Sequence, residues 1–317
     1  MTFAHTLKNS VVLLSISILF LGSCKEQVNV AKPVSAPEID YAAKVYPLLD
    51  TENSRWFYFS SASRPFGMVN LSPDTQIGGA WGSGYRYKTD TIKGFSHIHA
   101  WQMSGISVMP VTTNEKTKDD IFKDFYSKFN HNNEVVIPGY HKVELDRYAI
   151  EAQLTSTKRV GFHQYIFTEN GEEKAVLFNL NTLLGPSENV DGFLEQNSEN
   201  ELSGKVTMEP THRRPKPMTV YFKVQLNTQI SSIEKDESTG NYLIILNENK
   251  NDVLMKVGIS YTSVDNAELN ITTELPNWQF ENVRSEAKQE WNSLLGRIDV
   301  KGGSDQDQRR FYTDLWH

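Results

Sequence analysis

The sequence has one cysteine, Cys24, in 317 residues, and that count excludes both an internal disulfide and a cysteine-based zinc site. Clustered positive charge is also lacking. Lys and Arg total 32 against 39 Asp and Glu, the formal net charge is -7, and no long basic run interrupts the balance. Binding nucleic acid through its phosphates needs a basic face, so partners of that kind are excluded. No apolar run reaches the roughly 20 residues that a spanning helix requires. The longest, Val11 to Leu21, has the length of the apolar core of a signal peptide. The glycines form no phosphate loop ending in Gly-Lys-Ser or Gly-Lys-Thr, no dinucleotide fingerprint and no Gly-x-Ser-x-Gly elbow. The chemistry those motifs support falls away with them.

What is present begins with an address. Residues 1–23 run from a polar start carrying Lys8 through the apolar segment to Gly22 and Ser23. The tetrad Leu21-Gly22-Ser23-Cys24 resembles the lipobox of bacterial lipoprotein signals, in which the cysteine is lipidated and becomes the new N-terminus. Each buried methylene of an acyl chain contributes about 0.8 kcal/mol, so lipidated Cys24 would hold the protein on a membrane without a spanning helix. The expectation is an exported bacterial lipoprotein at the outer membrane, on the cell surface or in the periplasm. Residues 24–44, with Pro33 and Pro37 and little periodicity, read as a tether.

From Met68 to about Thr262 short β-favouring runs alternate with turn residues, and many of the runs alternate apolar with polar. This predicts a mainly β chain, a large antiparallel sandwich over residues 45–263. Gln164 to Phe178, with Asn170-Gly171 between two runs, reads as a hairpin. Then the period changes. Asp265 and Glu268 mark the start of a short helix that Pro276 limits, and Phe280, Val283, Ala287, Trp291 and Leu294 recur at helical spacing. Residues 264–303 are therefore a helical linker. Ser304 and Asp307 resemble a cap, Phe311 and Leu315 open a further stripe, and the chain stops at His317 in mid-helix. The expectation is the front part of a longer protein.

Aromatics make up 11% of the chain and crowd its first third. The densest chemical segment is Gly94-Phe95-Ser96-His97-Ile98-His99-Ala100-Trp101. In an extended chain His97, His99 and Trp101 share one face. Imidazole supplies a donor and an acceptor and indole a stacking plane, so these three suit a sugar. Burial as structural residues and direct metal ligation remain open beside that reading. Upstream, the glycine-rich stretch Gly78 to Tyr87 carries Trp81 and Arg86, which either face a ligand or pack. Glycoside hydrolysis needs paired carboxyl groups. Nothing pairs Asp74, Asp90, Glu188 or Asp191, and solvated surface is the reading for each.

These segments resemble the amino-terminal part of glycoside hydrolase family 92, calcium-dependent exo-acting α-mannosidases. The matching stretches include Arg64 to Thr75, Ser83 to Tyr87, Gly94 to His99, Val108 to Val111, Pro138 to Tyr140, Thr157 to His163, Gly258 to Ser263, Leu294 to Ile298 and Phe311 to His317. The resemblance implies a β-sandwich, a helical linker and an (α/α)6 toroid, with residues 304–317 as the toroid's first helix. It implies hydrolysis of α-mannoside glycans with inversion, aided by calcium, by carboxylates in a C-terminal domain absent from this chain. Two departures bear on linkage preference: the altered opening around Tyr46 to Thr51 and Ser60 to Ser63, and Ala100-Trp101-Gln102-Met103-Ser104-Gly105 where many members have Leu-Ser-Gly-Thr-Gly. The competing hypothesis is a free-standing carbohydrate-binding lipoprotein. The half-enzyme hypothesis predicts an exposed apolar stripe on the helix from Gln279 to Gly296.

Overall fold

A computed structural model describes residues 39–52, 61–79, 84–100, 102–114, 117–168, 173–247 and 250–317. The signal segment with Cys24, the tether up to Glu38, and both Trp81 and Trp101 lie outside the described residues.

The strand pairings described are all antiparallel and make two large sheets and one small one. The first has the spatial order Ala62–Ser63, Asn70–Pro73, Phe95–Ala100, Met103–Thr113, Glu173–Asn179, Tyr242–Leu246, Ile230–Lys235. The second runs Leu183–Leu184, Ser187–Ser198, Glu201–Met208, Met218–Leu226, Asp252–Ser260, Val160–Phe167, Ile150–Ser156, Tyr140–Leu145, Val135–Ile137. Alternation builds the half-buried strands: in Tyr140–Leu145 the buried Val143 and Leu145 flank the less buried Glu144. Between the sheets Phe178 and Phe222 stack with ring centroids 6.2 Å apart. The expected antiparallel sandwich is the fold.

One local expectation fails. Val160–Phe167 pairs with Ile150–Ser156 and Asp252–Ser260, whereas Glu173–Asn179 pairs with Met103–Thr113 and Tyr242–Leu246. The two strands enter opposite sheets and form no hairpin, and Asn170-Gly171 lies outside the described residues. Burial supplies the reason: Ala175, Val176, Leu177 and Phe178 are consecutively buried, so this strand needs cover on both faces and takes the middle of a sheet.

Four α-helices are described: α1 (Lys118–Lys123), α2 (Val264–Glu274), α3 (Phe280–Leu295) and α4 (Asp305–Trp316). The Ser263 hydroxyl caps α2 by accepting from the Asn266 amide, and Pro276 stops the helix from continuing. Helix α2 lies on Asp252–Ser260, where a Cβ at Gly258 would run into the Ala267 carbonyl oxygen and the Ile271 side chain. Gly258→Ala is therefore expected to destabilise the chain by about 1–3 kcal/mol through overpacking, read as a lower urea midpoint with an unchanged slope.

The stripe on α3 is not exposed. Phe280, Val283, Ala287, Trp291 and Leu295 are buried, with Phe280 against the Phe162 and Tyr140 rings and Trp291 Nε1 donating to the Ser63 carbonyl at 2.7 Å. The sandwich itself is the partner surface that the stripe requires. Helix α4 begins with a complete capping box of Ser304 and Asp307. Its buried side is Tyr312, Thr313 and Trp316, one position on from the expected Phe311 and Leu315. Aromatic contacts choose that side: Tyr312 meets Tyr41 at 5.3 Å and Trp316 meets Trp291 at 5.9 Å.

Candidate functional site

Hydrogen bonds gather several loops at one end of the sandwich. The Met68 and Val69 amides donate to the Lys158 carbonyl at 2.7 and 3.1 Å. Gln102, at the tip of the hairpin Phe95–Thr113, accepts from the Thr211 hydroxyl and from the Arg213 amide at 3.0 Å. Gln76 and Gly84 bridge the base of the glycine-rich loop, and Gly84 lies against the His99 ring.

Beneath that loop is a buried ion pair. His99 Nε2–H donates to Asp74 Oδ1 and Nδ1–H to the Asn70 carbonyl, both at 2.6 Å. Two acceptors require both ring protons, so the ring is an imidazolium. Burial alone would lower the His99 pKa, but the Asp74 charge and hydrogen bond, with the Asn70 carbonyl, together raise it. Asp74 Oδ2 accepts from the Ser96 hydroxyl at 2.5 Å. The solvated-surface expectation for Asp74 is thus corrected: it is buried, because its carboxylate is the counter-charge of a buried histidine. Asp90, Glu188 and Asp191 are exposed as expected.

His97, two residues away, has the opposite electrostatics. Its Nδ1–H donates to the Ile106 carbonyl at 2.6 Å, and its Nε2 faces His163 Nε2 at 2.9 Å. Burial pushes His97 down to about 4 and His163 well below its ordinary value, so both rings are neutral at pH 7. The tautomers then follow from the partners: His163 Nε2–H donates to His97, and the Tyr165 hydroxyl donates to His163 Nδ1 at 2.8 Å. The relay crosses from one sheet to the other and leaves no ring nitrogen free. Ile106, a β-branched residue, holds a left-handed φ of 54°, which turns its carbonyl toward His97. A Cβ at Gly161 would come within 2.6 Å of His97 Cδ2, so this position demands glycine.

A second buried cluster braces the other leg of the glycine-rich loop. Glu134 Oε1 accepts from His141 Nε2 at 2.7 Å, and Oε2 accepts from His131 Nδ1 at 2.7 Å and from the Tyr85 hydroxyl at 2.9 Å. Burial works against the carboxylate, but its His141, His131 and Tyr85 hydrogen bonds outweigh that and hold its pKa below the usual range. Ser61 Oγ sits 2.6 Å from His141 Nδ1, which completes the connectivity of a Ser-His-carboxylate relay. Ser61 and His141 both have 0% exposure, so no substrate carbonyl reaches the hydroxyl. The cluster fixes Tyr85, and His131 stacks on Tyr87 at 4.1 Å.

The turn Arg64-Pro65-Phe66-Gly67 is closed by the Gly67 amide donating to the Arg64 carbonyl. Phe66 occupies its third position with φ 56° and is 93% exposed. That position favours glycine, and a larger residue there carries a strain of about 1–3 kcal/mol.

Of the residues singled out in the sequence, Trp81 and Trp101 are outside the described residues, Arg86 is largely buried with its pKa lowered by that burial, and His97 and His99 lie in the interior. His97 and His99 share no partner. The sequence reading missed Asp74, His163 and Glu134 as their companions or counterparts. The usable signal was Gly161 two residues before His163, a glycine inside a strand pattern that marks close approach. For calcium, the donor chemistry does not fit: the Asp74 and Glu134 oxygens are taken up by histidine, serine and tyrosine donors, and no group of three His, Asp or Glu side chains among the described residues is arranged to hold a metal ion.

The glycosyl hydrolase family 92 N-terminal domain matches residues 44–260 and the family's catalytic domain matches residues 266–317. An uncharacterized secreted glycosidase of Arthroderma benhamiae is 25% identical over 95% of this chain and 43% of its own. The α-mannosidase BT3965 of Bacteroides thetaiotaomicron superposes with a TM-score of 0.74 at 22% identity, over 88% of this chain and 41% of its own. The inverting mannosidase BT2199 of the same species superposes at 0.73 with 20% identity, over 89% and 40%. The chain thus spans less than half the length of these relatives. With more than half of its residues matching the N-terminal domain and the remainder of the match following in order, the chain belongs to glycosyl hydrolase family 92.

Proposed function

We propose that the chain is the N-terminal part of an exported lipoprotein α-mannosidase. Residues 45–263 are its sandwich, 264–303 its helical linker and 304–317 the first helix of its catalytic domain, with Cys24 as the lipid anchor. The observation that carries this reading is the ordered match of both family domains along residues 44–317. BT3965 is known in complex with mannoimidazole, which supports an α-mannoside as the ligand class. The glycan-facing surface is the loop end where the base of the glycine-rich loop at Gln76 and Gly84 meets the hairpin tip at Gln102. His99 and His97 act from beneath, holding the glycine-rich loop and the hairpin in place. The acid and base that cleave the glycoside, and any calcium ligands, belong to polypeptide beyond this chain. The 317-residue chain is expected to give no turnover of α-1,2-mannobiose with calcium, and a version extended by the downstream reading frame is expected to hydrolyse it. Robust hydrolysis by the short chain overturns the proposal.

One observation favours a second reading, a carbohydrate-binding lipoprotein without catalysis: the α3 stripe is covered by the sandwich. That reading expects glycan binding in a calorimetric titration of the short chain and a reading frame that closes at His317.

A further inference from the structure

The loop 209–217, which joins Glu201–Met208 to Met218–Leu226, is clamped to the hairpin tip. Gln102 is buried there at a left-handed φ of 63°, a conformation that costs a residue other than glycine about 1–3 kcal/mol. Its side-chain oxygen accepts from the Thr211 hydroxyl and the Arg213 amide, and its backbone carbonyl accepts from Arg214 Nε at 3.2 Å. The rest of the Arg214 guanidinium donates to the Lys216, Glu209 and Met208 carbonyls at 2.5, 2.6 and 3.4 Å. Pro210, Pro215 and Pro217 fix three further φ angles. The loop is rigid without being part of either sheet.

What it displays is positive charge. Arg213, Arg214 and Lys216 put three cations within four residues of a chain whose net charge is -7, and His212, Arg213 and Lys216 are exposed. Arg214 spends its donors on carbonyl oxygens, which hold the guanidinium without cancelling its charge. Burial lowers its pKa, and Glu209, the loop's one carboxylate, offsets only part of that. Strain at Gln102 and like charges side by side both oppose folding. Together they leave a fixed cationic edge beside the glycan-facing surface, which an anion matches without reordering the loop. We propose that the loop 209–217 is a subsite for an anionic group carried by the glycan, a phosphate monoester or a carboxylate, with Gln102 as the positioning residue that holds it to the hairpin tip. This rests on reading the loop end as glycan-facing. The exposed Lys216 and its neighbours supply the charge-assisted hydrogen bonds that either group accepts.

The subsite lies wholly within the 317-residue chain, so that chain is titrated calorimetrically with mannose 6-phosphate, mannuronic acid, mannose and inorganic phosphate. At least one of the two anionic sugars is expected to bind about tenfold or more tightly than mannose, and the one that does so identifies the group; equal gains for both mark a site for either. Lys216→Glu changes an exposed side chain and should cut that affinity about tenfold or more. Gln102→Gly keeps the backbone angle and releases the clamp. The ratio of anionic to mannose affinity, which a loss of stability alone would not move, should fall about threefold or more in that variant. Equal affinities for the anionic sugars and mannose overturn the inference, and so does an undiminished preference in Lys216→Glu. Inorganic phosphate binding as tightly as the sugars also overturns it, since the loop then holds an adventitious ion only. If the extended chain cleaves α-1,2-mannobiose while the titrations show no preference, only the subsite falls. If the preference is found and the extended chain cleaves no mannoside, the subsite stands and the mannosidase reading falls.

Discussion

Asp74→Ala is expected to destabilise the chain by about 3–5 kcal/mol, the range for removing one partner of a buried ion pair. The pair qualifies because both side chains are almost fully shielded, at 1% and 2% exposure, and because the substitution leaves the His99 Nε2–H with no acceptor. Asp74→Asn keeps an oxygen at that place and should cost less. The pH dependence tests the charge itself. The folded His99 pKa is raised, and the unfolded value is about 6.5. The pair's stabilisation is therefore present in full below about pH 6.5 and is lost as pH rises through the folded value. In Asp74→Ala the burial remains without the carboxylate, so the shift reverses and His99 penalises folding as pH falls below about 6.5. Urea denaturation should show the gap between wild type and variant largest near pH 6 and smaller at pH 9. A gap of constant size would mean that the pair carries no charge.

The neutral relay gives the opposite slope. With folded pKa values lowered, His97 and His163 stay uncharged while the unfolded chain takes up protons below about pH 6.5. Between there and the His97 value of about 4, this linkage removes roughly 3 kcal/mol for His97 alone, and His163 adds in the same direction. His163→Leu leaves His97 Nε2 and the Tyr165 hydroxyl without partners. Each orphaned buried group costs about 1–3 kcal/mol, so a loss of about 2–6 kcal/mol is expected at pH 7. The acid slope should become shallower, since one of the two titrating rings is gone. Unfolding midpoints taken between pH 7 and pH 4 decide it: identical slopes in wild type and variant would rule out His163 as a source of acid sensitivity. Two histidines separated by one residue thus push stability in opposite directions with pH, and only their partners distinguish them.

The elements that were legible in the sequence are those whose signal is local. Val143 and Leu145 alternate with polar residues, Ser304 and Asp307 lie three apart, and Pro276 follows a helical run, and each of these yields the element it announces. Ser187–Ser198 is harder to read, because it is mostly exposed and polar and bulges at Asp191, which has a positive φ. The α4 face moved by one residue because Phe311 and Tyr312 are both apolar enough to bury, and Tyr41, more than 250 residues earlier, selects Tyr312. The site was half legible. The histidines stood out, but the partner of His99 lies 25 residues away and that of His97 lies 66. No spacing rule connects residues so far apart.

The amino-acid sequence alone determined that this would be an antiparallel β chain ending in amphipathic helices, and its ordered motifs determined the family. Periodicity and turn chemistry act over a few residues, so they survive reading in one dimension. Tertiary structure alone decided which sheet each strand joined, that Asp74 is buried, and that His99 is charged while His97 and His163 are neutral. Those outcomes depend on desolvation and on the nearest charge, and both exist only once distant segments have met.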